Sequence, residues 1–164
     1  MAWYLTEPHM NAIHFHRFAH WLYQQKIPFL PMVVRNLMFL VFNSYIPPSA
    51  VIGEGSIFAY GAIGVVIHAN TKIGKNCVIG QGITIGASEA YVSPDAKACP
   101  TIGDNCYIGA GARILGGITI GSNSVIAAGA VVLNDVPEHS VVVGGPAKVI
   151  GQTNPDYLAI RKAA

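Results

Sequence analysis

From Ile46 onward an aliphatic or aromatic residue returns every six positions. It falls at Ile46, Ile52 and Phe58, then at Ile67, Ile73, Ile79 and Ile85, then at Ile102, Ile108, Ile114, Ile120, Ile126 and Val132. Segments such as IGKNCV, IGQGIT, IGDNCY, IGAGAR and IGSNSV repeat one order: an aliphatic residue, usually a Gly, and a small residue further on. A period of six matches neither the 3.6-residue stripe of a helix nor one long alternating strand. It matches a parallel β-helix, in which three short strands make one triangular coil. Each aliphatic residue then stacks on its counterparts from neighbouring coils inside a prism. Gly and Asn fall at the corners, where the backbone needs positive φ. The chain reads as mainly β, a single-stranded parallel β-helix of hexapeptide repeats with a short helical segment before it.

Two spacings break the period. Phe58 to Ile67 is nine residues, so three extra residues bulge out within 59–64. Ile85 to Ile102 is seventeen, so eleven extra residues leave the prism, roughly 87–101. An excursion of that length from so regular a scaffold points to function, the alternative being a clamp on a neighbouring subunit. Ahead of the prism, Ile13, Phe15, Phe18 and Leu22 lie at helical spacing, and Pro28 and Pro31 interrupt the chain before a second apolar helix from Met32 to Phe42. The expected division is a helical segment at 1–44, the prism at 45–143 and a tail at 144–164.

Composition narrows the function. Hydrophobic residues make up 52% and charged residues 11%, which excludes a disordered chain and favours burial against copies of itself. A net charge of +2 with scattered basic residues gives no footprint for nucleic acid. Cys77, Cys99 and Cys106 are unclustered, so neither a disulfide framework nor a zinc site is expected, and a reducing cytoplasm fits. The N-terminus lacks the basic start and apolar run of a leader. Residues 27–42, with Pro28, Pro31, Arg35 and Asn36, fall short of the roughly twenty apolar residues of a spanning helix. An amphipathic helix there could pack on a partner or associate with a membrane surface. His16 and His20 share a helical face, but His14 does not complete a convincing set, so no metal is expected.

In chain order, six segments resemble the serine acetyltransferase family over residues 13–151. They are His16-Arg-Phe-Ala-His-Trp-Leu-Tyr23, Ile46-Pro-Pro-Ser-Ala-Val-Ile-Gly53, Gly64-Val-Val-Ile67, Ile79-Gly-Gln-Gly-Ile-Thr-Ile-Gly86, Tyr107-Ile-Gly-Ala-Gly-Ala-Arg-Ile-Leu-Gly116 and Gly144-Gly-Pro-Ala-Lys148. The resemblance implies a left-handed β-helix that forms a homotrimer. It further implies transfer of acetyl from acetyl-CoA to a small-molecule hydroxyl, of L-serine or of a sugar, in clefts between adjacent prisms. Ala110, Gly111, Ala128 and Gly129 match the small residues along the pantetheine groove, and Lys148 matches a basic position near the nucleotide phosphates.

Such a reaction needs a base for the hydroxyl proton and N–H donors for the oxyanion. It needs no covalent intermediate, so a lone His can suffice. The family places that His in an Asp-His pair where this chain has Ala59-Tyr60. A second family His, before a Pro at the end of the excursion, is replaced by Cys99, and an Asp at the start of the prism by Tyr45. His68, next to Ile67 where the repeat usually holds Gly, is the expected general base. Tyr60 is expected to orient the acceptor or bind the oxyanion, with Asp95 and Cys99 on the acceptor side. As a nucleophile Cys99 lacks an evident neighbouring base. The reading from another class is a catalytically silent prism that serves as a scaffold or partner-binding subunit.

Overall fold

The six-residue period becomes three parallel faces of a triangular prism in the computed structural model, which describes residues 11–87 and 99–154. Face one holds β1 (Val51–Ile52), β4 (Lys72–Ile73), β7 (Thr101–Ile102) and β10 (Thr119–Ile120). Face two holds β2 (Ile57–Phe58), β5 (Val78–Ile79), β8 (Tyr107–Ile108), β11 (Val125–Ile126) and β13 (Ser140–Val143), closed by antiparallel β14 (Lys148–Gln152). Face three holds β3 (Val66–Ile67), β6 (Thr84–Gly86), β9 (Arg113–Leu115) and β12 (Val131–Val132). This is the left-handed β-helix of hexapeptide repeats.

Register puts like on like. Ile73 pairs with Ile102, and Ile102 with Ile120. Phe58, Ile79, Ile108 and Ile126 form the column of face two. Ile67, Ile85, Ile114 and Val132 form that of face three. These side chains are buried in one continuous core, where close packing makes each methylene count. A second inward column of small groups runs through Ser56, Cys77, Cys106, Ser124 and Ser140, all buried. Cys77 Sγ lies 3.2 Å from the Gly103 carbonyl and Cys106 Sγ 3.3 Å from that of Gly121. Both thiols are therefore structural.

Two helices cover the first coil. Helix α1 (Ala12–Gln24) is capped by Asn11, whose Oδ1 accepts from the Ile13 N–H and whose Nδ2 donates to the Phe58 carbonyl at 2.8 Å. Helix α2 (Leu30–Phe42) begins two residues ahead of the expected Met32. Pro31 sits in its first turn, where a missing N–H costs no helical bond. Ala12, Ile13, Met38 and Phe42 join the prism core, with Phe15 edge-on to Phe42 at 5.5 Å. Neither helix is long and apolar enough to cross a membrane.

One expectation fails in α1. Phe18 is 51% exposed and stacks on Trp21. The buried line is Ala12, Ile13, His16, Ala19 and Leu22, and Phe18 stands two residues from His16, on the opposite side of the helix. His16 occupies the core instead. It is 2% exposed and stacks on His20 at 5.8 Å. Burial, helped by the His20 charge, lowers its pKa to about 4.

This has a signed consequence for stability. The unfolded chain takes up the His16 proton near the ordinary imidazole value of 6.5, whereas the folded chain does so only near 4. Between those values the unfolded state binds more protons, so stability is full above 6.5 and falls as pH drops toward 4. The loss attributable to this group is roughly 3 kcal/mol. Urea unfolding across that window should show the slope in the wild type, and His16→Leu should flatten it.

Candidate functional site

The corner between faces two and three forms a continuous edge along the prism. Coil by coil it carries the 3-10 turn Ala59–Ala62, then residues 80–82, 109–111 and 127–129, and finally the turn after β13. The turns are tied in sequence: Gly82 N–H donates to the Ile63 carbonyl, Gly111 N–H to that of Gln81 and Gly129 N–H to that of Ala110, all at 2.8–2.9 Å.

Gly82, Gly111 and Gly129 have φ of 65–69°, the left-handed region. On its three middle coils the corner between faces one and two needs the same conformation, yet uses Asn76, Asn105 and Asn123, with φ of 54–61°, between Gly55 on the first coil and His139 on the last. Asn tolerates left-handed backbone, so that backbone alone does not call for Gly. A Cβ on Gly82, Gly111 or Gly129 would meet nothing within 4 Å. What sets the two corners apart on these three coils is that this one bears no side chain at its left-handed position. By contrast, a Cβ on Gly109 would lie 2.4 Å from the Ala128 nitrogen, so that glycine is demanded by coil stacking.

Tyr60 sits on the first coil of this edge, at φ 50° and 62% exposed. Ala110, Gly111, Ala128 and Gly129 line its middle. Lys148 opens β14 just past the Gly144–Ala147 turn, which bonds to β12 through Val131. The structure thus aligns Tyr60 and the five residues matched to the pantetheine and phosphate positions along one edge.

His68 lies elsewhere. It follows β3, at the corner between faces three and one, whereas Tyr60 precedes β3. The turn at 63–64 and strand β3 lie between them. Within one chain, His68 and Tyr60 therefore stand at different corners of the first coil. His68 lines an open pocket of about 870 Å³ between α1, α2 and face three. Arg35, Tyr45, Thr84 and Ala87 share the wall. The Arg35 guanidinium lies 5.2 Å from the Tyr45 ring centroid, and its Nη1 is 3.4 Å from the Tyr45 hydroxyl. Tyr45 therefore partners a cation at the position where the family has an acid.

His68 Nδ1 is 2.9 Å from Cys99 Sγ and 3.3 Å from the backbone nitrogen of Asn70. A backbone N–H can only donate, so Nδ1 carries the lone pair and Nε2 the proton. Burial pushes the Cys99 thiol up, which keeps it an S–H able to donate to Nδ1. The expectation that Cys99 lacks a neighbouring base is thus overturned. The signal was in the repeat: β7 resumes directly over β4, with Thr101 on Lys72. Residue 99 must then stack over residue 70, beside His68. Arg35 was missed because it read as an interruption in an apolar helix. Asp95 and the 88–98 part of the excursion lie outside the described residues. Among the described residues no group of three potential ligands could hold a metal.

Parallel coils of hexapeptide repeats, with a line of open glycines at one corner and a pocket at another, mark a hexapeptide-repeat transferase scaffold. Residues 99–134 match the family described as bacterial transferase hexapeptide (six repeats), and residues 64–88 match the hexapeptide repeat of succinyl-transferase. The serine acetyltransferase of Helicobacter pylori is 36% identical over 146 residues, 89% of this chain and 83% of that protein. The chain belongs to the serine acetyltransferase family. A serine acetyltransferase of Synechococcus elongatus is 42% identical over 89% of this chain and 58% of its own length. The Brucella abortus serine acetyltransferase in complex with coenzyme A superposes with a TM-score of 0.81 at 38% identity, covering 87% of this chain and 56% of that one. The Neisseria gonorrhoeae enzyme in complex with serine gives 0.76 at 42% identity, covering 84% and 54%. This chain spans about three fifths of the length of the first curated relatives it matches.

The two kinds of edge glycine should separate in stability measurements. Gly109→Ala forces a methyl into the next coil and should cost about 1–3 kcal/mol. Gly111→Asn keeps a left-handed residue in open space and should leave the melting temperature within a few degrees of wild type.

Proposed function

We propose that this chain is an acetyl-CoA-dependent O-acetyltransferase. The observation that carries this reading is the contrast on three successive coils: Asn76, Asn105 and Asn123 at one corner, and at the other Gly82, Gly111 and Gly129, where an added Cβ would meet nothing. A pantetheine arm laid along residues 82, 111 and 129 meets backbone without side chains in the way, and Lys148 at the far end suits the nucleotide phosphates. Family membership supports the same chemistry. The acceptor hydroxyl attacks the thioester carbonyl, backbone N–H groups stabilise the oxyanion, and His68 takes the proton.

The active unit in this reading is a homotrimer. Tyr60 and the glycine edge stand apart from His68 in one chain, so a neighbouring copy is needed to bring an edge to a cavity. Relatives are named for serine, and L-serine is the first acceptor to test, with Arg35 suited to its carboxylate. A sugar hydroxyl is the second, favoured by the Arg35–Tyr45 pair, which stands where the family has an acid to meet an ammonium group.

Release of CoA thiol from acetyl-CoA, measured against a panel of amino acids and nucleotide sugars, tests the reading and separates the acceptors. CoA should raise the melting temperature. Gly111→Asn should abolish that shift with the fold intact, and Lys148→Ala should weaken CoA binding by about 1–2 kcal/mol. No shift at saturating CoA and no thiol release with any acceptor would favour the silent scaffold. Light scattering should give three times the chain mass, and a stable monomer would sink the shared site.

A further inference from the structure

We propose that the helical cap is a membrane-docking surface, with α1 and α2 lying flat on an anionic bilayer. The inference goes beyond the acetyltransferase reading and stands independently of it.

Three observations carry it. First, α2 has two apolar sides. Pro31, Val34, Met38 and Phe42 form its buried stripe. Met32, Val33, Leu37 and Leu40 recur at three- and four-residue steps on the other side, and each is at least 48% exposed. Phe29, just before the helix, extends this outer stripe and is 79% exposed. A contiguous apolar stripe on a folded surface marks an interaction site. Helix α1 adds Phe18 and Trp21, stacked at 6.2 Å and also exposed.

Second, charge selects the partner. From Asn11 to Gly53 the chain carries Arg17, Lys26 and Arg35 and not one Asp or Glu. Arg17 and Lys26 are exposed, and Arg35 is half-buried over the Tyr45 ring. Two such caps set face to face would bring only like charges together, whereas an anionic lipid surface attracts all three. Third, the side-chain types are those of a bilayer interface. Trp21 and Tyr23 are exposed, and rings of this kind settle at the level of the headgroups. Arg17 and Lys26 can lay their methylenes on apolar surface while the charge stays in water.

The cap lies on a bilayer and does not cross it. The 13 residues of α2 reach roughly 20 Å, short of a hydrocarbon core of about 30 Å. An interfacial helix instead buries its apolar side at the boundary between headgroups and acyl chains. Phe29 and Met32 also line the pocket that holds His68, so docking sets that pocket beside the lipid headgroups.

The test is sedimentation of the full chain with vesicles of phosphatidylglycerol and phosphatidylcholine in equal parts, against phosphatidylcholine alone. The chain should pellet with the anionic vesicles, and its tryptophan emission should shift to the blue, much less so in Trp21→Phe. High salt should weaken the binding. Arg17→Gln with Lys26→Gln should weaken it about fivefold per charge. Leu37→Ser with Leu40→Ser should weaken it about tenfold or more, while melting temperature and mass by light scattering stay those of wild type. Wild-type chain left in the supernatant at millimolar lipid overturns the proposal. Binding that ignores lipid charge overturns it too. A smaller mass in the Leu37→Ser, Leu40→Ser variant would mean that the stripe packs against another copy of this chain, and that result also overturns it.

Discussion

Each coil of the prism hydrogen-bonds to the next in register, and everything else in the molecule depends on that stacking. The Val78 N–H reaches the Cys106 carbonyl, the Tyr107 N–H that of Ser124, and so on along all three faces. Parallel pairing at one fixed spacing leaves no freedom to slide, because a slip of one residue would turn every aliphatic column outward. It also explains why several corner positions admit no side chain. At Gly53, Gly80, Gly103 and Gly109 an added Cβ would come within 2.7 Å of backbone in the adjacent coil.

The same constraint builds the site. Because coils are in register, residues far apart in sequence stand side by side whenever they share a place in the coil. Gly82, Gly111 and Gly129 form an open edge for this reason. Cys99 meets His68 for this reason too, across a separation of 31 residues. The excursion leaves after β6 and returns at β7 without disturbing the stack, so it can deliver a thiol to a chosen corner while the prism stays regular. A loop closed on a rigid scaffold in this way tolerates length at little cost in stability.

The helical cap obeys different physics. α1 and α2 bury one stripe each against the first coil, and His16 takes a place in that stripe as a buried imidazole. Arg35 reaches the other way, over Tyr45, to the mouth of the cavity. The cap thus does two things: it ends the open stack of the prism, and it supplies a cation, Arg35, to the wall that His68 shares.

The architecture was legible in the order of residues alone. A period of six with aliphatic, Gly and small residues admits one coil geometry, and the columns from Phe58 to Val132 follow from counting. The matched glycine and alanine positions on the edge were legible for the same reason, since a repeat assigns each residue a corner. What counting along the chain left undecided lies where the repeat is broken or absent. Phe18 faces solvent and His16 the core because the rotation of α1 is set by its packing on α2 and the first coil, not by its own apolar spacing. Tyr60 and His68, eight residues apart, are separated by a face of the prism, while Cys99 and His68 touch. Contact here is decided by which corner of which coil a residue occupies, and that becomes definite only once the excursion has closed and the coils have stacked.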